Sequence, residues 1–229
     1  MRVIAIIPAR GGSKRIPKKN IKDFLGKPII AYSIEAVINS KLFDEVMVST
    51  DDNEIAEIAR QYGANIPFLR SEATSNDHAT TGAVLIEVLN AYKKLDKAFD
   101  YACCIYPTSA FVTAEKLHEA FNLLIEKNYL SVFPIMPFSY PIWRSLKTEN
   151  GKVNMNYPEY RNSRSQDLPL AYHDAGQFYF FKTEALLSEQ TLFTSNSGAI
   201  VIDEMEGQDI DNLTDWMIAE MKYKMLFYK

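Results

Sequence analysis

Five consecutive apolar residues, Val3-Ile-Ala-Ile-Ile7, stand near the start of the chain, closed by Pro8. A strand with one solvated face alternates apolar and polar residues. An unbroken run instead marks a strand covered on both faces, the habit of parallel sheets flanked by helices. The pattern returns in Glu45-Val-Met-Val-Ser49 and at residues 101–106 and 130–134, with a shorter strand expected at 66–69. Helical spacing falls between these runs. Ile30, Ile34, Val37 and Ile38 form one apolar stripe behind Pro28. Ile55, Ile58, Ala59 and Tyr62 form a second, which Asp51 or Asp52 can cap and Gly63 can end. Val84, Leu85, Val88, Leu89 and Tyr92 make a third, and residues 114–127 a fourth. The alternation predicts an α/β fold, a mostly parallel sheet with helices on both faces. Ligands bind such sheets beyond the carboxyl ends of the strands, so chemistry is expected in the loops that follow strands.

The rhythm changes after Met136. Residues 137–169 hold four prolines, Trp143, several tyrosines, and Arg144, Arg161 and Arg164, without a helical period. They read as an irregular or hairpin-like insertion, either a lid or an oligomer contact. Regular structure resumes with Gln177-Phe-Tyr-Phe-Phe181 and Ala199-Ile-Val-Ile202, and a closing helix is expected at 213–226. A length of 229 residues suits one domain of this kind with an appendage. The charge balance, 25 Lys and Arg against 29 Asp and Glu, argues against a nucleic-acid binder. No run approaches the roughly 18 apolar residues of a membrane span. The run at 3–7 is too short for a signal-peptide core, so a cytoplasmic location is expected. Cys103 and Cys104 are adjacent in an apolar run and read as buried strand residues, not as a disulfide or zinc framework.

The strongest chemical signal lies where the first strand ends: Pro8-Ala-Arg-Gly-Gly-Ser-Lys-Arg-Ile-Pro-Lys-Lys-Asn20. Gly11 and Gly12 let the backbone turn tightly and present N–H groups. Arg10, Lys14, Arg15, Lys18 and Lys19 put five cations into ten residues. Amide donors and clustered positive charge together suit a polyphosphate. The loop fits neither GxxxxGK[ST] nor GxGxxG, so it is neither a Walker-type loop nor a dinucleotide fingerprint. Near the other end, Asp209 and Asp211 flank one residue in a segment expected to be extended, where strand period puts both carboxylates on one face. Two converging carboxylates favour a hard cation such as Mg2+. The competing reading is two surface acids at the start of the last helix, where Asp215 lies in the expected first turn. Asp51 and Asp52 form another carboxylate pair, which helix capping explains.

Pro8-Ala-Arg-Gly-Gly-Ser-Lys14 with Lys19-Asn20 resembles the nucleotide-binding signature of the acylneuraminate cytidylyltransferase family, enzymes that join a nine-carbon acidic sugar to CMP. Val48-Ser-Thr-Asp51, Leu69-Arg70, Tyr106-Pro-Thr-Ser109, Arg164 with Leu168-Pro169, and Asp209-Ile-Asp211 follow in that family's order and spacing over nearly the whole chain. The resemblance implies a single Rossmann-like nucleotidyltransferase domain, residues 1–229, with 137–169 a dimerisation or lid insertion. It implies that Arg10, Lys14 and the backbone of Gly11, Gly12 and Ser13 hold the CTP triphosphate. Lys19 would lie near the α-phosphate and Asn20 near the nucleotide, while Arg70, Thr80 and Thr81 would help hold cytidine. Asp209 and Asp211 would bind Mg2+, Arg164 would face the sugar acid or phosphates, and Arg144 would contribute in trans across a homodimer. Lys14, Lys19 and Asp211 are the residues expected to carry catalysis, by positioning and charge neutralisation without a covalent intermediate.

Sialic-acid members of the family usually have Gln-Pro-Thr-Ser where this chain has Tyr106-Pro-Thr-Ser109, and Arg-x-Asn-Gly where it has His173-Asp-Ala-Gly-Gln177. Both places are associated with sugar contacts, so Tyr106, His173, Asp174 and Gln177 join Arg144 and Arg164 as sugar-binding candidates. These two segments resemble the branch of the family that acts on pseudaminic acid, a bacterial nine-carbon sugar acid with deoxy and acylamino positions. Tyr106 offers an aromatic wall with one polar tip, against the competing reading of strand-end packing. His173 stands between a sugar contact and a purely local hydrogen bond. The expected reaction is CMP transfer from CTP to pseudaminic acid, in a homodimer that engages neither nucleic acid nor membrane. N-acetylneuraminic and legionaminic acid are the alternative sugars, and a non-catalytic nucleotide-binding relative is the alternative class. Lys222, on the closing helix, reads as a surface residue suited to a mutational control.

Overall fold

A computed structural model describes residues 1–228. Its first element, β1 (Val3–Pro8), is the doubly covered strand that the apolar run predicts. Val3, Ala5 and Ile7 enter one core while Ile4 and Ile6 enter another, following the two-residue period of a strand. Two short strands, β2 (Asp23–Phe24) and β3 (Lys27–Pro28), pair with each other and lead into α1 (Ile29–Ser40). The chain continues through β4 (Glu45–Ser49), α2 (Asn53–Gln61), α3 (Glu72–Ser75), α4 (Thr81–Lys94), β5 (Tyr101–Ile105) and α5 (Ala114–Glu126). Then come β6 (Ser131–Pro137), β7 (Leu146–Glu149), β8 (Lys152–Met155), β9 (Tyr172–Asp174) and β10 (Phe178–Lys182). α6 (Thr183–Glu189), β11 (Ser197–Val201) and α7 (Leu213–Phe227) complete it.

Seven strands form one sheet along the path β11-β6-β10-β5-β1-β4, with β9 also on β6. β1 is parallel to β4 and β5, and β6 is parallel to β11. β10 runs antiparallel to β5 and β6, and β9 antiparallel to β6. The sheet is mostly parallel, as the alternation predicts, with one reversed segment set into it. That segment is interrupted: β9 meets β6 at residues 135–137, β10 meets it at 131–132, and between them Gly176 adopts φ +63°. The carbonyl of Gln177, in the gap, accepts from the Tyr106 N–H at 2.9 Å and from the Ser109 hydroxyl at 3.0 Å.

α1 and α5 cover one face of the sheet with Ile30, Ile34, Leu117 and Phe121, and α4 and α6 cover the other with Leu85, Val88, Tyr92 and Leu186. Cys103 and Cys104 are free thiols, one in each core, as expected of strand residues. Asp52, not Asp51, caps α2, its carboxylate accepting from the N–H groups of Glu54 and Ile55, and Gly63 ends that helix at φ +94°. The strand expected at 66–69 does not form. Only Asn65 bridges to Met47, and Pro67 has no N–H to extend a ladder. The chain instead turns to bring the Arg70 N–H to the Thr50 carbonyl at 2.8 Å. Residues 137–169 carry the β7–β8 hairpin, turned at Asn150 and Gly151, whose positive φ angles suit a tight two-residue turn. Trp143 packs there against Tyr157 and Tyr160, and its Nε1 donates to the Pro169 carbonyl at 2.8 Å. No helix among the described residues is long and apolar enough to cross a membrane.

A third, smaller core decides where the chemistry sits. Ile16 of the glycine-rich loop and Ile210, the residue between the two aspartates, are both 1% exposed and share this core with Phe24, Tyr32 and Trp216 of α7. The basic loop and the acidic segment lie 190 residues apart in sequence. They are stapled together by apolar side chains whose truncation to alanine costs on the order of 2–5 kcal/mol at a close-packed site.

Candidate active site

A cleft of about 690 Å3 opens beyond the carboxyl ends of β1 and β5. The loop after β1 supplies Arg10, Ser13, Lys14, Arg15, Lys19 and Asn20 to its wall. Tyr106, Pro107 and Thr108 follow from β5, Asp174, Ala175 and Gly176 from the interruption in the reversed strand, and Asp209 from the acidic segment. A recess of about 190 Å3 adjoins it, lined by Arg70 and Thr81 and sharing Arg10, Asp77 and Tyr106 with the larger space. Arg70 is anchored by Nε to the Ser49 hydroxyl and by Nη2 to the Ser49 carbonyl.

The glycines of the loop act through proximity. Neither Gly11 nor Gly12 has a positive φ. A Cβ on Gly11 would lie 2.6 Å from Asp52 Oδ2, inside the cap of α2, whereas Gly12 faces open space. The Gly11 N–H donates to Asp51 Oδ1 at 3.0 Å, so Asp51 ties the loop down while Asp52 caps the helix. Asn20 is buried and closes the loop by donating from Nδ2 to the Arg10 carbonyl at 2.9 Å. Lys18 points elsewhere, paired with Glu54 at 2.5 Å.

Lys19 Nζ donates to the Ile210 carbonyl at 2.7 Å, bridging the basic loop to the acidic segment. Burial lowers its pKa, while Asp211 and Asp209 act the other way. Asp211 pairs with Arg15 at 2.7 Å. The acidic segment forms no strand, yet Ile210 turns into the core between the two aspartates. Among the described residues no three His, Cys, Asp or Glu side chains converge. Asp209 on the wall of a basic cleft, with Asp211 two residues on, nonetheless suits Mg2+, which takes one or two carboxylates and completes its shell with substrate phosphates and water. Asp215 belongs to α7: its carboxylate accepts from the N–H groups of Asp211 and Asn212 at 2.9 and 3.0 Å.

One acidic residue that the motifs give no sign of lies among the cations. Asp77 accepts from Arg10 Nη1 at 2.5 Å with one oxygen and from Lys14 Nζ with the other. Those two hydrogen bonds hold its pKa down to about 2. It therefore stays ionised at neutral pH and occupies both cations.

Several candidates stand away from the cleft. Thr80 caps α4, accepting from the Ala83 N–H. Gln177 is buried and donates from Nε2 to the Glu206 carbonyl at 2.6 Å, supporting the turn that precedes the acidic segment. His173 bonds through Nδ1 to the Asp174 carbonyl and lies against Phe138. Arg144 reaches Ser165, and Arg164 pairs with Asp167, both on the surface of the insertion. Lys222 is no neutral surface residue: its Nζ donates to the carbonyls of Glu204 and Gly207 at 2.8 and 2.9 Å, tethering the approach to Asp209. The sequence hides this, because helical period reports only the direction of a lysine, not what its tip meets.

A family model described as cytidylyltransferase matches residues 4–218. The chain belongs to the cytidylyltransferase family. This member is 43% identical over 226 residues to a pseudaminic acid cytidylyltransferase of Campylobacter jejuni, covering 98% of this chain and 97% of the relative. It is 32% identical to a CMP-N,N'-diacetyllegionaminic acid synthase of Legionella pneumophila, over 96% of this chain and 95% of the relative. Among solved structures, a CMP:2-keto-3-deoxy-manno-octonic acid synthetase complexed with CTP superposes with a TM-score of 0.72 over 99% of both chains. At 16% identity, that likeness speaks for the nucleotidyltransferase fold.

The loop can be tested directly in this cytidylyltransferase. Lys14→Ala removes a side chain that is 79% exposed and carries no core contact, so the fold should stand while CTP binding weakens, turnover slows, or both. Lys93→Ala, on the exposed side of α4, is the control. Calorimetry with CTP and a turnover assay that find both variants alike would mean that the loop is merely a solvated charge cluster.

Proposed function

We propose that this cytidylyltransferase activates pseudaminic acid, joining it to CMP at the expense of CTP and releasing pyrophosphate. The observation that carries the chemistry is the core shared by Ile16 and Ile210, which brings a cluster of cations and Asp209 to one cleft, with Asp211 beside it on Arg15. The full-length similarity to the Campylobacter pseudaminic acid cytidylyltransferase supports the choice of sugar. So do Tyr106 and Asp174 on the cleft wall, in the two segments that depart from sialic-acid relatives.

In this reading Arg10, Lys14 and the loop backbone at 11–13 hold the triphosphate, and Lys19 faces the α-phosphate. Arg70 and Thr81 in the adjoining recess receive the cytidine. Incoming phosphates displace Asp77 from Arg10 and Lys14, exchanging one anion for another. The anomeric hydroxyl of the sugar acid then attacks the α-phosphorus in line and pyrophosphate departs toward the basic loop. No side chain forms a covalent intermediate. Fixed cations stabilise the charge that gathers on the transferring phosphoryl group, a role that positioning and electrostatics can fill. Asp209 and Asp211 would hold Mg2+, which neutralises phosphate charge and lowers the pKa of a bound hydroxyl. The reaction belongs in the cytoplasm, where CTP is made. A pyrophosphate-release assay with CTP, Mg2+ and a panel of nine-carbon sugar acids tests the reading. CTP binding without turnover on any of them would leave a nucleotide-binding protein in its place.

The segment 137–169 is proposed as a homodimer contact. It exposes Phe138, Tyr140, Leu146 and Val153, and aromatic and arginine side chains dominate interface hot spots. Arg144 and Arg164, remote from the cleft of their own chain, are then available to a partner's sugar site. Light scattering at working concentration should return twice the mass of the chain; a fully active monomer would overturn the assignment.

A further inference from the structure

Tyr179 carries no role in the sequence analysis, yet it reaches the cleft from β10. The residue is 2% exposed, and its ring meets Phe133 and Tyr106 with centroids 5.6 and 5.7 Å away. A phenol in such a setting needs a partner for its hydroxyl. It finds one in Asp174, donating to Oδ2 of that carboxylate. The other oxygen, Oδ1, accepts from the Gly176 N–H at 3.0 Å, inside the interruption between β9 and β10. Both oxygens of Asp174 are thus engaged by donors of the protein. An ionised carboxylate has about four acceptor sites, so two remain for a ligand in the cleft that Asp174 lines. On the far side of Tyr179, the Tyr106 hydroxyl lies 3.2 Å from Thr81 Oγ1 in the nucleotide-side recess.

We propose that Tyr179 is a positioning residue for sugar choice: by donating to Asp174 Oδ2 it fixes that carboxylate as an acceptor for the N–H and O–H donors of the sugar acid. This rests on the sugar-acid reading of the cleft. The physical need for such a clamp is electrostatic. The same cleft is lined by Arg10, Lys14 and Lys19, and a carboxylate free to rotate is drawn toward cations. Held by the phenol and the Gly176 N–H, it stays with the sugar end and leaves the cations to the phosphates. A fixed carboxylate also discriminates, since it accepts only. An N–H or O–H satisfies it, while a sugar presenting no donor at that place leaves it unpaired, and unpaired polar groups are what separate substrates most strongly.

Tyr179→Phe keeps the ring and removes the donor. The KM for pseudaminic acid should rise roughly tenfold, the scale of one hydrogen bond to a charged group. The KM for CTP should stay within about twofold, and the thermal midpoint should hold. In an Asp174→Asn background the same substitution should add less than about twofold, because the two side chains act as one unit. An unchanged sugar KM in Tyr179→Phe, or full additivity with Asp174→Asn, would overturn the role. An equal rise in both KM values with a lower melting point would mark Tyr179 as a packing residue only. Wild-type protein that turns over no sugar acid would overturn the proposed function and this role with it, whereas normal wild-type turnover beside an indifferent Tyr179→Phe overturns the role alone.

Discussion

Asp211→Asn lowers turnover by roughly 100-fold or more, the size expected when a key electrostatic group is lost, while the protein stays folded. That factor corresponds to about 2.7 kcal/mol of transition-state stabilisation. The structural ties of Asp211 are slight enough to separate the two effects. Its carboxylate makes one ion pair, with Arg15, at side-chain exposures of 44% and 68%. Exposed pairs of this kind contribute about 0–1 kcal/mol. The backbone N–H of Asp211 is held by Asp215, which the substitution leaves alone. Pyrophosphate release measured across a magnesium titration, beside a thermal melt, checks both halves. Turnover close to wild type at every magnesium concentration would remove Asp211 from ion binding and return the pair to the status of surface acids.

Pseudaminic acid is expected to exceed N-acetylneuraminic acid by several powers of ten in kcat/KM, at fixed CTP and magnesium. Arg10, Lys14 and Lys19, proposed to face the phosphates, occupy the positions of the family signature that the sequence resembles. The departures lie at Tyr106 and in the segment 173–177, and of these Tyr106, Asp174 and Gly176 line the cleft. In the proposed reading the chemistry is kept while the surface that would read the sugar is changed. A site built around one set of substituents leaves polar groups unpaired when offered another, and such mismatches discriminate far more strongly than a missing methylene. Equal kcat/KM values, or a preference for N-acetylneuraminic acid, would show that these two segments do not set specificity, and a broader sialic-type assignment would replace the narrow one.

Much of the scaffold is local in origin, which is why it can be read in the chain. The runs at β1, β4 and β5 are apolar on both faces because helices cover both faces. The stripes in α1, α2, α4 and α5 repeat at helical period because each helix buries one side. The reversed pair β9 and β10 is different. An antiparallel strand buried on both sides has the same apolar composition as a parallel one, so Phe178-Tyr-Phe-Phe181 marks a strand without marking its direction. The missing strand at 66–69 fails for the complementary reason: its side chains suit a sheet, but Pro67 denies it a donor.

The site divides in the same way. Glycines and cations clustered after β1, and two aspartates spaced by one residue, are properties of short stretches of chain, so the sequence alone marks them as candidates for phosphate and for a hard cation. Which side chains meet across the cleft is decided only by the tertiary fold. Ile16 and Ile210 share a core because α7 packs back onto the loop, and that packing brings Lys19 to the Ile210 carbonyl and Arg15 to Asp211. Asp77 on Arg10 and Lys14, Tyr179 on Asp174, and Lys222 on the Glu204 and Gly207 carbonyls are contacts between distant residues with no periodicity to announce them. Gln177 and Thr80 show the converse. Their positions in the chain point to ligand, yet each hydrogen-bonds to backbone, because a buried amide or a helix N-terminus must be satisfied wherever the fold puts it.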